Sequence, residues 1–121
     1  MTGNINKRKV GSEYEELAAA YLESIGFRIL KRNFRCRSGE VDIIAMDGGT
    51  LVFAEVKYRS TEHMGNPLET VNRKKQRRIC RSAGYYMMIR HLPDDTPCRF
   101  DVIGILGREL RHVRNAFPYM P

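Results

Sequence analysis

Two short stretches of this chain place charge inside apolar runs. In Gly39-Glu40-Val41-Asp42-Ile43-Ile44-Ala45 two carboxylates interrupt a β-branched segment. In Leu51-Val52-Phe53-Ala54-Glu55-Val56-Lys57-Tyr58 a glutamate and a lysine interrupt another. Side chains alternate faces along a strand, so Glu55 and Lys57 share one face, roughly 6.6 Å apart. The Asp47-Gly48-Gly49 turn joins the two runs as a hairpin and brings Asp42 close to Glu55. Ionised groups in the middle of core strands are costly unless paired or metal-bound. Two adjacent carboxylates suit a hard cation such as Mg²⁺ or Mn²⁺, which would lower the pKa of a held water and stabilise charge on a phosphate. Lys57 would orient or deprotonate that water, or neutralise the developing charge. The set is chemically complete for hydrolysis. The competing reading of the same residues is a buried Asp/Glu–Lys ion pair, or a solvated sheet face, without chemistry.

These residues need a sheet, and helices to close over it. Residues 12–25 read as a first helix: Ser12 is a suitable N-cap, Tyr14, Leu17, Ala18, Tyr21, Leu22 and Ile25 recur at helical spacing, and Gly26 ends it. Glu15 falls beside Ala18 and Leu22, while Glu16 and Glu23 fall opposite. Glu15 is therefore a candidate third metal ligand, and equally the partner of Ser12 in a capping box. Strands are expected over 27–36, 41–46, 51–58 and 98–106, with a last, short strand in Glu109–Phe117, and a loop over 60–70 around Gly65 and Pro67. Residues 70–90 read as a second helix. The resulting order, α-β-β-β-α-β-β, is that of a mixed α/β or α+β domain.

The second helix opens with Arg73-Lys74-Lys75-Gln76-Arg77-Arg78-Ile79-Cys80-Arg81. On a wheel, Lys74, Arg77, Arg78 and Arg81 share one side, opposite Ile79, Ala83, Tyr86 and Met87, so the helix offers cations to phosphate or simply to water. Lys75 and Gln76 flank the apolar side and point partly inward, toward the acidic cluster. Arg35, Arg37 and Arg59 add charge near the cleft and would position a backbone rather than read bases. Tyr85, Tyr86, Met87 and Met88 read as core. Asp101, in Arg99-Phe100-Asp101, reads as a structural ion pair or cap. His63, His91 and His112 share no spacing and read as surface or loop residues, not ligands.

The length of 121 residues favours one domain over 11–121 behind a flexible basic N-terminus, 1–10. The net charge of +7 suits a polyanionic partner. No apolar run approaches the roughly 20 residues of a membrane span, and the N-terminus lacks an apolar signal core, so a cytoplasmic protein that does not engage membranes is expected. Cys36, Cys80 and Cys98 contain no CxxC pair and read as reduced thiols.

Glu15, Asp42 in Gly-Glu-Val-Asp-Ile-Ile, and Glu55-Val56-Lys57 together resemble the PD-(D/E)xK, restriction-endonuclease-like superfamily. The stretches GSEYEELAAAYLESIGFRIL, RNFRCRSGEVDIIA, LVFAEVKYR, VNRKKQRRI and CRFDVIGI, spanning 11–105, resemble the YraN-like family of predicted bacterial nucleases. That family is similar in turn to archaeal-type Holliday junction resolvases. Val41 stands where the superfamily has proline, and Tyr14 where many relatives have glycine. The resemblance implies a central mixed sheet flanked by helices. It also implies a catalytic set of Glu15, Asp42, Glu55 and Lys57, with Asp42, Glu55 and Glu15 around Mg²⁺ or Mn²⁺. The activity implied is endonucleolytic cleavage of branched or damaged DNA, with RNA left open, and a homodimer wherever paired cuts are made. The rival functions are a non-catalytic nucleic-acid-binding module and an accessory subunit of a DNA-processing complex.

Overall fold

A computed structural model describes residues 7–59 and 71–120. The elements follow the expected order: α1 (Lys7–Ser24), β1 (Arg28–Cys36), β2 (Gly39–Asp47), β3 (Thr50–Arg59), α2 (Arg73–Ile89), β4 (Cys98–Leu106) and β5 (Glu109–Phe117). They form a mixed α+β fold around one five-stranded sheet with strand order β1-β2-β3-β4-β5. Neighbouring strands are antiparallel except β3 and β4, which are parallel. A parallel pair needs a long crossover, and α2 lies within this one. The loop expected over 60–70, with His63, lies outside the described residues.

The two helices cover opposite faces of the sheet. Ala18, Ala19 and Leu22 of α1 pack on Ile43, Ala45, Val52, Ala54, Val56 and Ile103. Ile79, Cys80, Ala83 and Tyr86 of α2 pack on Val41, Ile44, Leu51, Phe53, Phe100 and Phe117. Covering both faces explains why β2 and β3 read as nearly continuous apolar runs. It also makes the polar residues within them conspicuous.

Several sequence expectations are corrected. Helix α1 begins at Lys7, so residues 7–10 are helical and Ser12 lies inside the helix instead of capping it. Packing of the later apolar stripe, Ala18, Ala19 and Leu22, anchors the helix on the sheet. Leu17 and Ile25, assigned to that stripe, are exposed, because Ala18, Ala19 and Leu22 already fill the contact with the sheet. Tyr85 and Met88 are exposed while Tyr86 is buried, since only one edge of α2 reaches the sheet there. The last strand spans Glu109–Phe117, the whole of the segment in which it was expected. All three thiols are free. Among the described residues, no helix is long and apolar enough to cross a membrane.

His112 departs furthest from expectation. Its side chain is 5% exposed, with Nε2 2.8 Å from Asp101 Oδ2 and Nδ1 3.0 Å from the Tyr21 hydroxyl. The fully buried Asp101 also accepts from Arg99 Nε at 2.9 Å and from the Asn115 amide at 3.0 Å. Arg99 bridges on to Asp47 at 2.9 Å, and both Arg99 and Arg114 lie over the Phe27 ring. This cluster ties β4 and β5 to α1 and to the entry into β1. Burial alone would raise the Asp101 carboxyl, but the hydrogen bonds from His112, Arg99 and Asn115 outweigh it and hold the group below the ordinary carboxylate range.

Two outcomes follow for stability. Asp101→Ala should lose about 3 kcal/mol, because it strands Arg99 and His112. Because the folded-state pKa is depressed, the Asp101 contribution is present at neutral pH and fades as pH falls through that pKa, below about pH 4. Urea midpoints measured across pH check this: the acid loss should be smaller in Asp101→Asn than in the wild type.

Candidate active site

Strands β2 and β3 pair from Asp47–Thr50 as far as Ile43–Ala54, and there the regular ladder stops. One residue on, Asp42 Oδ2 accepts the Val56 amide at 2.8 Å, so a side chain does the work of a backbone carbonyl. On the other flank β1 holds Asn33 at φ 53°, between the Arg32–Ile43 and Phe34–Val41 pairs. Asparagine is one of the few residues that tolerate that left-handed conformation. These two departures open the end of the sheet, and side chains from both covering helices reach into it.

Oxygens of Glu15 from α1, and of Glu40 and Asp42 from β2, lie within 4.8 Å of one another. Glu55 adjoins Asp42, and its charge acts on that carboxyl. Glu55 Oε1 in turn takes Lys75 Nζ at 3.2 Å and Lys57 Nζ at 3.7 Å. Lys75 stands in the first turn of α2, where the Asn72 side chain accepts its amide and caps the helix. Glu40, Asp42 and Glu55 face Lys74, Lys75 and Arg78 across a cleft of about 410 Å³. Gly39 starts β2 at φ +146°, a conformation that side chains rarely adopt, and brings the strand against Arg78 and Ser82 of α2.

The electrostatics of the cluster are unbalanced. Burial, then the neighbouring Glu55, pushes the Asp42 carboxyl up to about 9 against the opposing Val56 amide. Burial and the neighbouring Glu40 also raise Glu15. Lys57 is lowered by burial and by the adjoining Lys75. Burial works the same way on Lys75, but the Glu55 charge, with Lys57 adjoining, leaves it above the ordinary lysine range.

The chain matches the family described as Uncharacterised protein family UPF0102 over residues 14–105. It belongs to that family. A UPF0102 protein of Lachnoclostridium phytofermentans is 50% identical over 113 residues, covering 93% of this chain and 96% of the relative. One of Symbiobacterium thermophilum is 48% identical, covering 91% of this chain and 97% of its own. One of Persephonella marina is 43% identical, over 88% of this chain and 91% of its own.

In this UPF0102 chain the structure brings Glu15, Asp42, Glu55, Lys57 and Lys75 together. It adds Glu40, which was seen as a charge in an apolar run but not placed at the site. Its signal was its position two residues before Asp42, the spacing at which a strand returns to one face; what spacing could not give is the approach of Glu15 from α1. Gln76 turns away, its amide donating to the Val71 carbonyl at 2.9 Å. Arg35 is exposed and pairs with Glu40 at 2.9 Å. Arg37 is exposed in the β1–β2 turn, and Arg77 and Arg81 are exposed on α2. Arg59, at the far end of β3, donates back to the Tyr58 carbonyl.

The donor set fits a hard divalent cation: three clustered carboxylates, all oxygen, with one member pushed up to about 9 by burial and by the neighbouring Glu55. With Oδ2 engaged by Val56, Asp42 retains Oδ1 for such a cation. A raised folded-state pKa means that the metal-free protein loses stability as pH climbs from about 4 toward 9. Asp42→Asn should remove that slope and melt higher than the wild type at alkaline pH. It should also abolish the rise in melting temperature that Mn²⁺ gives the wild type. An unchanged Mn²⁺ response in this variant would exclude Asp42 as a ligand.

Proposed function

We propose that this chain is a metal-dependent nuclease of the PD-(D/E)xK type, hydrolysing phosphodiester bonds of DNA. The observation that carries the reading is the Glu15–Glu40–Asp42 cluster, with Glu55 and two lysines beside it, facing the cations of α2. The restriction-endonuclease-like resemblance of the sequence agrees with it. Glu15, Asp42 and Glu55 are the proposed ligands of Mg²⁺ or Mn²⁺, and Glu40 lies close enough to join them. When bound, the cation supplies an acidified water and Lewis-acid charge at the phosphate. Lys57 orients the attacking water and offsets charge as it develops on the phosphate. Lys74, Lys75 and Arg78 hold the backbone across the cleft, giving affinity without base readout.

One observation favours the rival, a non-catalytic binding module: the Glu55 carboxylate is already met by both lysines, as a structural ion pair would be. Lys57→Met separates the two. A catalytic lysine lost should slow single-turnover cleavage by about 10²-fold or more, with Mn²⁺ binding and DNA affinity nearly unchanged. A structural lysine lost should instead lower the melting temperature and leave the rate as it was. The substrates to screen are linear, single-stranded, flapped and four-way DNA with Mg²⁺ and with Mn²⁺; no cleavage of any would favour the module. Paired cuts would call for a homodimer, which sedimentation measures.

Affinity should also fall steeply with salt, since lysines and arginines on phosphate release counterions. Reversing Lys74 and Arg78 to glutamate should flatten that slope. A slope indifferent to these changes would remove α2 as the contact.

A further inference from the structure

The outward stripe of α2 consists of Lys74, Arg78, Arg81, Tyr85 and Met88, all exposed and spaced four, three, four and three residues apart. That spacing keeps them on one line along a helix. The line starts at the cleft, where Lys74 and Arg78 face Asp42 and Glu55. It ends on Tyr85 and Met88, which are 43% and 64% exposed. A large aromatic left in water at the end of a row of cations needs a reason. The core does not supply one, because its neighbour Tyr86 already fills the contact with Phe34 and Phe53. The Tyr85 ring is nevertheless held: it lies 6.2 Å from the Phe34 ring, tilted by 30°.

We infer that Tyr85 is a stacking platform for an unpaired base, and that the substrate of the neighbouring cleft carries a single-stranded segment along α2. Arg78 and Arg81 take the phosphates of that segment and Tyr85 takes the face of a base. Tyr85 lies about 10 Å along the helix from Arg78, at roughly 1.5 Å per residue. That is the length of about three stacked nucleotides at roughly 3.4 Å each. Bases inside a duplex are already stacked and cannot use the ring, whereas an unpaired base can, whatever its identity. The competing occupant is a second copy of this chain, for which the same spacing would serve as a helix–helix seam. Charge opposes it, since three of the five positions are cations and a second copy would bring three more to the same seam. The inference rests on the nuclease reading for its substrate, but its measurement does not depend on catalysis.

The test uses the full chain in chelator, so that nothing is cut. The probes are a short single-stranded oligodeoxynucleotide with 2-aminopurine at one position, and a blunt duplex of the same sequence. Tyr85→Leu should weaken single-strand binding by about tenfold and leave the duplex unchanged, as expected for one lost stacking contact. Tyr85→Phe should keep full affinity, and the 2-aminopurine emission quenched by the wild type should recover in the leucine variant only. Equal affinities of the wild type and Tyr85→Leu for the single strand would overturn the proposal. So would loss of a dimer in Tyr85→Leu with single-strand affinity intact, which would assign the stripe to a second copy. Absence of cleavage in the separate nuclease screen would count against hydrolysis, and not against this platform.

Discussion

The hydrogen bond from the Val56 amide to Asp42 Oδ2 is the contact on which the rest of the site depends. It ends the β2–β3 ladder without leaving a buried N–H unsatisfied, which an interior strand pair does not tolerate. It also fixes a carboxylate where the strands part. α1 then reaches the gap from one face with Glu15, and α2 from the other with Lys75. An apolar residue at position 42 would leave the Val56 amide without this acceptor.

The chain treats its two buried aspartates in opposite ways. Asp101 is matched by Arg99, His112 and the Asn115 amide, and it anchors β4 and β5 against α1. Asp42 is buried with one amide among several neighbouring acids, and its carboxyl is pushed up to about 9. A fold that needed only structure at position 42 would gain by matching it as fully as Asp101. The deficit of positive charge is the property that a cation-binding site requires, and it costs stability while the site is empty of cations.

The net positive charge is also placed rather than spread evenly. Lys74, Lys75 and Arg78 stand across the cleft from the acids, and Arg35 pairs with Glu40 on the α1 side. A polyanion drawn to such a cleft meets its own charge at the acidic cluster, and only a bound cation removes that conflict.

Much of this was legible in the sequence because it rests on local periodicity. Alternation placed Glu55 and Lys57 on one face, the Asp47-Gly48-Gly49 turn set the β2–β3 pairing, and helical spacing separated the cations of α2 from Ile79, Ala83 and Tyr86. What escaped depended on contacts between distant segments. Glu40 joins the cluster because the packing of α1 brings Glu15 beside it. His112 is buried only because β5 pairs with β4 and α1 brings Tyr21 across from 91 residues away. Helix α1 starts at Lys7, five residues ahead of the cap expected at Ser12. Tyr85 and Met88 stay in solvent because α2 meets the sheet along one edge alone. Spacing determines which side of an element a residue occupies; only the packed structure decides whether that side meets protein or water, because burial is a property of the neighbours.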